Sequence, residues 1–151
     1  MSDAPWLDDE EMATWLAFVG LVSRLPAALD GQVRSDADVS YFEYTVLVVL
    51  EHAEDRTMRM SDLAYLANGS LSRLSHVARR LEQEGFIRRF ACPTDGRSTL
   101  AALTDAGLEK LAQAAPGHVK LVRALIFDEL TRDEVRQLGA LSRRLLDRIQ
   151  P

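Results

Sequence analysis

The chain has few of the residues that catalysis, metal sites and covalent staples require. Its 151 residues contain one cysteine, Cys92, so neither an internal disulfide framework nor a multi-cysteine zinc site can form. Its three histidines, His52, His76 and His118, are scattered, without the His-Glu-x-x-His spacing of a metallohydrolase. There is no Gly-x-Ser-x-Gly turn and no glycine loop to cradle a phosphate. Glu51 and His52 adjoin on one helix but project about 100° apart, a poor acid–base dyad. An enzyme, a cofactor and a bound metal are therefore not expected. No apolar run approaches the ~18 residues that a membrane span needs. The acidic start, MSDAPWLDDEEM, lacks the basic residues and apolar core of a secretory signal. A cytoplasmic protein is expected, with no membrane partner. A basic surplus is missing too: the net charge is −5, which read globally argues against nucleic acid.

What is present is an ordinary globular composition, 47% hydrophobic and 27% charged. A chain this long buries roughly two thirds of its unfolded surface and folds without staples. The charge is unevenly placed. Residues 70–98 carry six arginines (Arg73, Arg79, Arg80, Arg88, Arg89 and Arg97) against Glu82, Glu84 and Asp95. That window is +3 and the remainder −8. It reads as a basic patch on an acidic body, or as a solvated helix face with its usual charges.

Helix signals dominate, without repeats or low-complexity segments. Residues 9–25 predict a helix with Met12, Trp15, Leu16, Val19 and Val22 at helical spacing, ended or kinked by Pro26. The polar stretch 30–39 predicts a loop. Ser40 with Glu43 forms a capping box for a helix through Val46–Leu50. Thr57–Met60 reads as extended. Ser61 is expected to cap a short helix, Asp62–Ala67, which Asn68-Gly69 breaks. Ser70 caps a helix over 71–84, with Leu71, Leu74, Ala78 and Leu81 on one side and Ser72, His76, Arg79 and Gln83 on the other. Arg73 and Arg80 flank the polar side. Gly85 ends this helix in the left-handed conformation. Two strands, Phe86–Cys92 and Thr99–Leu103, are joined by Pro93-Thr94-Asp95-Gly96 as a hairpin. Thr104 caps a long helix that Pro116-Gly117 should bend or interrupt. Thr131 with Glu134 opens a last helix, 132–149, striped by Val135, Leu138, Leu141, Leu145 and Ile149.

Three helices followed at once by a hairpin is the order of a winged helix-turn-helix. The major groove admits one helix, read by side chains in its N-terminal half. Here that half carries Ser72, Arg73, Ser75 and His76, behind the cap residue Ser70. An arginine at a hairpin tip contributes little to folding, but beside a duplex it can enter the narrow, electronegative minor groove. Arg97 is placed for that role. Asp95, two residues earlier, is read as an ion-pair partner orienting Arg97, or as the acceptor of an Asx-turn.

The run Asp95-Gly96-Arg97-Ser98-Thr99-Leu100-Ala101-Ala102-Leu103-Thr104 resembles the wing signature of the MarR family of bacterial regulators. Ser70–Ile87 resembles that family's recognition helix and its Leu-Glu-x-x-Gly exit, and Ala115–Val119 is similar to one branch. His76 departs from the arginine that many members carry there. The resemblance implies a mainly α fold (α+β): one domain over 1–151, with a winged helix-turn-helix lobe at 40–103 and dimerisation helices at 9–29 and 104–150. It implies a homodimeric, sequence-specific binder of double-stranded DNA, a repressor on a pseudo-palindromic operator, contacting DNA through Ser70, Ser72, Arg73, Ser75, His76, Arg79, Arg80, Asp95 and Arg97. It further implies release by a small aromatic or amphipathic effector in a cleft lined by Trp15, Phe18, Tyr41, Tyr44 and His118. Aromatics at such spacings also serve as plain core. Cys92 lies at the wing's base and reads as a small buried apolar residue, or as a thiol activated by Arg88 and Arg89. The alternative function is a winged-helix module that docks protein rather than DNA.

Overall fold

Helix α1 (Asp9–Ala37) opens on a capping box in which Asp8 accepts from the Glu11 amide at 2.8 Å and Glu11 accepts from the Asp8 amide at 3.0 Å. The computed structural model describes residues 5–149. The expectations for Met1–Ala4, and for Gln150 at the end of the last dimerisation segment, lie outside the described residues. The helix runs 29 residues, past both the proline and the polar stretch that the sequence marked as its end. Pro26 removes the donor that would bond the Val22 carbonyl, yet the helix continues, with Pro26 and Val22 both exposed in one copy. The presumed loop at 30–39 is largely a helix face. Leu29, Val33 and Ala37, four residues apart, are buried, while Asp30 and Arg34 pair at 2.6 Å on the outer side. The helix ends at Asp38, in the left-handed conformation with φ 53°.

Between Met12 and Leu29 the one ionisable side chain is Arg24. By length and composition an 18-residue stretch of α1 is apolar enough to cross a membrane, with mean hydropathy 1.5, contrary to the expectation that no apolar run is long enough. Gly20, Ser23 and Arg24 break the runs without much lowering the mean. A helix covered on several sides by protein carries the same pattern.

The sequence places helix α2 (Tyr41–Glu51) correctly, with the Ser40–Glu43 capping box formed in both directions. Strand β1 (Thr57–Arg59) leads directly into α3 (Met60–Leu66). Ser61 does not cap α3. Strand pairing holds Arg59 extended at the N-cap position, so the helix starts on the buried Met60, and the Ser61 hydroxyl bonds Asp62 instead. Asn68 turns the chain with φ 55°. A Cβ on Gly69 would lie 2.5 Å from the Phe42 ring, so only glycine fits this turn.

Helix α4 (Leu71–Gln83) follows, capped by Ser70. It closes as a Schellman motif, Phe86 amide to Leu81 carbonyl at 2.9 Å and Gly85 amide to Glu82 carbonyl at 3.0 Å. Strands β2 (Ile87–Cys92) and β3 (Asp95–Leu103) form the hairpin, and β1 adds to it, giving an antiparallel sheet in the order β1-β3-β2. Helix α5 (Asp105–Leu125), capped by Thr104, continues through Pro116 instead of bending, since Pro116 and Ala112, four residues earlier, are both exposed. At Gly117 the two helices come close: a Cβ there would displace the Asp36 carboxylate and the Gln32 amide of α1. Helix α6 (Arg132–Ile149) starts at Thr131, whose amide donates to Glu134 at 2.8 Å.

Leu47, Leu50, Leu63, Leu74, Leu81 and Ile87, with Val46 of α2 and Val33 of α1, are the largest fully buried side chains, uniting α2, α3, α4, the sheet and α1. Each contributes about 1.5–3 kcal/mol by leaving water. This core fixes which face of α4 turns outward.

Candidate nucleic-acid interface

Helix α4 buries Leu74, Ala78 and Leu81 and leaves Ser72, His76 and Arg79 exposed. Leu71, expected on the buried side, is half exposed at the first position of α4. The exposed side chains are hydrogen-bonding groups free of partners within the lobe, as a base-reading face requires. Ser70 spends its hydroxyl on the Arg73 amide, at 3.1 Å. The Arg73 guanidinium lies 4.1 Å from the centre of the Phe42 ring, a cation–π contact that fixes the start of α4 on α2.

Arg80 does not join this face. It reaches the opposite way, to the buried carboxylate of Glu43 at 3.2 Å and the Asp38 carbonyl at 3.2 Å. A buried carboxylate without its partner is costly, so Arg80 is committed to tying α4 to the junction of α1 and α2. Arg89 is similarly engaged: its amide and guanidinium bond both Glu82 oxygens, at 2.8 to 3.2 Å, which holds that carboxyl below its usual range. Arg88 lies over Phe90 at 5.0 Å.

The wing differs from its expected form. Cys92 pairs with Asp95, so Pro93-Thr94 is the tip. Arg97 lies beyond it, in an irregularity of β3: Ala91 pairs with Thr99 and Cys92 with Asp95, leaving residues 96–98 without cross-strand partners. Its side chain is exposed. Asp95 does not pair with the Arg97 guanidinium. It accepts from the Arg97 amide at 3.2 Å, as an Asx-turn does, and from the Ser98 hydroxyl at 2.7 Å, and it faces Arg59 at 3.5 Å. The Ser98 and Arg97 hydrogen bonds, then Arg59, hold its carboxyl below the ordinary aspartate value.

These elements enclose an open concavity of about 300 Å³ between the start of α3, α4 and the wing. Ser75, Arg89 and Arg97 line it, and so does Arg59. Arg59 was missed in the sequence because its relevance arises from the pairing of β1 with β3, opposite Leu100. Cys92 is buried; its Sγ lies 3.4 Å from the Thr94 hydroxyl, and hydrogen bonds from Thr94 lower its thiol below the usual value.

The five effector candidates fall into two groups. Tyr41, Tyr44 and His118 come together, with ring centres 4.7 Å (Tyr44–His118) and 6.0 Å (Tyr41–His118) apart. His118 Nδ1 is buried without a hydrogen-bond partner among the described residues, and burial pulls the imidazole below its ordinary value. Trp15 and Phe18 pair with each other, at 6.4 Å, and are about half exposed.

A buried three-helix core, a last helix with its polar side outward and an arginine-bearing hairpin beside it define a winged helix-turn-helix DNA-binding protein. The MarR family model matches residues 39–99. The chain is 40% identical to Sco3205 of Streptomyces coelicolor, a MarR family regulator solved in complex with DNA, with TM-score 0.93 over 99% of this chain and 94% of that one. It is similar to AbsC, a MarR family regulator of the same organism, at 32% identity and TM-score 0.90 over 97% and 99% of the two chains. It is also 32% identical to the HTH-type transcriptional regulator MhqR of Bacillus subtilis, over 68% of this chain and 69% of that one. Further relatives, at 28% identity, are named repressors. The chain belongs to the MarR family and is a DNA-binding transcriptional regulator, not an enzyme. The protein-docking alternative is set aside.

Proposed function

We propose that the protein is a cytoplasmic, homodimeric repressor that holds a pseudo-palindromic operator through two winged-helix lobes, residues 40–103 of each copy. Dimerisation falls to α1, α5 and α6, whose apolar side chains, among them Leu16, Leu21, Val119, Leu141 and Leu145, stand about half exposed in one copy. Ser72, His76 and Arg79 read base edges in the major groove. Arg97 enters the minor groove, and Ser70, Arg73 and Ser75 meet the backbone between them. Arg80 and Asp95, given their partners, act on DNA indirectly by holding α4 and the wing in place. The observation that carries this reading is the convergence of Ser75 of α4 and Arg97 of the wing on one concave face.

The Tyr41–Tyr44–His118 cluster supports an effector site. Two aromatic faces and a buried, unpaired ring nitrogen suit a small aromatic ligand with one polar group. Such a ligand would sit where α2 of the lobe meets α5 and so bias the angle of the lobe.

Selection of bound duplexes from a random pool, followed by footprinting, tests the reading. Half-sites about one turn, ~10 bp, apart are expected. Ser72→Ala and His76→Ala should change the selected sequence more than the affinity for generic duplex. Affinity should also fall linearly with log salt despite the acidic overall charge. Equal affinity for every duplex, or a flat salt response, would overturn it.

A further inference from the structure

Residues 96–98 of β3 have no cross-strand partner, so the strand ladder does not determine the path of the chain around Arg97. Side chains do. Asp95 holds the Arg97 amide with one carboxylate oxygen and the Ser98 hydroxyl with the other, at 3.2 and 2.7 Å. Arg59 closes the figure from β1, donating from Nη1 to the Ser98 hydroxyl at 3.2 Å and facing the same Asp95 oxygen at 3.5 Å. Both ends of this network are anchored. Arg59 is strand-paired with Leu100 and is the last residue before α3, so it is rigidly joined to the helix-turn-helix. Asp95 is paired with Cys92 at the wing tip.

The charged members are nearly half exposed, Arg59 45% and Asp95 41% by side chain. A pair so exposed contributes little to global stability. Its consequence is geometric: it decides where one exposed arginine stands relative to α4. We propose that Arg59 is a positioning residue of the wing, which through Asp95 and Ser98 fixes the path of residues 96–98 and hence the point from which Arg97 reaches DNA. The proposal rests on the reading of Arg97 as a DNA contact. It reassigns Asp95 from orienting the Arg97 guanidinium to fixing its backbone.

The test compares Arg59→Ala, Arg59→Lys, Asp95→Ala and the Arg59→Ala/Asp95→Ala double variant. Readouts are affinity for the selected operator at several salt concentrations, hydrogen exchange of the residue 96–98 amides in the free protein, and melting temperature. Arg59→Ala and Asp95→Ala should each weaken operator binding about three- to tenfold, and the double variant no more than the worse single one. Arg59→Lys should recover part of the loss. The Arg59→Ala variant should speed exchange at 96–98, while its melting temperature and salt slope match the parent's. A salt slope reduced by about one contact per copy, ~1.8 for the dimer, with losses that multiply in the double variant, would overturn the proposal and make Arg59 a direct phosphate contact. Unchanged exchange at 96–98 would overturn it as well. If Arg97→Ala leaves operator affinity intact while Arg59→Ala still speeds exchange, the wing's DNA contact fails and Arg59's hold on the wing stands.

Discussion

The winged-helix lobe and the terminal helices are built to different degrees of completion. In the lobe, Leu47, Leu50, Leu63, Leu74 and Leu81 are at most 1% exposed, in a core that Val33 and Ala37 of α1 and Leu111 and Ala114 of α5 complete within one chain. Helix α6 has no buried residue at all, although Val135, Leu138, Leu141 and Leu145 recur at helical spacing along one side. Helix α1 combines both conditions: Leu29, Val33 and Ala37 are packed, whereas Met12, Trp15, Leu16 and Phe18 are about half exposed. The same residue types therefore have two uses. In the lobe they close the core of one chain; toward the termini they stand exposed for a second copy.

The largest expected effect breaks this comparison from the side of the terminal helices. Leu141→Glu/Leu145→Glu places two charges on the α6 stripe. Sedimentation velocity should show a monomer, and operator affinity should fall at least about a hundredfold as bivalent binding is lost. The lobe should keep its own unfolding transition. Leu74→Ala is the counterpart within the lobe, expected to cost about 2–5 kcal/mol by leaving a cavity under α4, with the terminal helices still able to associate. A variant α6 that remains dimeric would show that the exposed stripe is not the interface.

Arg97→Ala comes next. Its side chain is exposed and leaves no cavity, so the melting temperature should stay within a degree or two, reflecting about half a kcal/mol or less. Specific binding should weaken by about 1–3 kcal/mol per wing, measured by titration of a labelled operator. Unchanged affinity would confine DNA contact to α4 and remove the wing from the interface.

What was legible in the sequence follows the same division. Signals confined to a few neighbouring residues read through: the Ser40–Glu43 and Thr131–Glu134 boxes, the Thr104 cap, and the Gly85 stop with its Schellman closure. Burial of Leu74, Ala78 and Leu81 also followed from spacing alone. Failures arose where a distant partner decided the outcome. Pro26 and Pro116 look like helix ends until one knows that they, and Val22 and Ala112 four residues before them, stand on exposed sides of their helices. Leu29, Val33 and Ala37 stand four residues apart, but the polar residues between them read as a loop. Arg80 was placed on the right helix and Asp95 in the turn rather than at the start of β3, and their partners, Glu43 and Arg59, lie 37 and 36 residues away in sequence. No spacing rule reaches that far; only the pairing of β1 with β3 and the packing of α4 on α2 bring those groups together.

The smallest expected effect concerns His118, where α5 meets the lobe. Its imidazole is held below the ordinary value of 6.5 by burial, against the Tyr41 and Tyr44 rings, and its Nδ1 has no hydrogen-bond partner among the described residues. Tyr44, itself raised by burial and by the nearby Glu51 and Tyr41, stays neutral throughout the acid range. The unfolded chain protonates this histidine near its ordinary value while the folded chain does not. Between the two values the unfolded state binds more protons, so stability is intact above about 6.5 and declines as pH falls toward the lowered folded value. Denaturant midpoints taken from pH 7.5 down to pH 5 should therefore fall more steeply for the parent than for His118→Phe, which keeps an aromatic ring in the cluster and cannot titrate. Parallel curves would mean that the ring gains water or a charge partner on protonation, and that the junction between lobe and terminal helices opens more readily than its packing indicates.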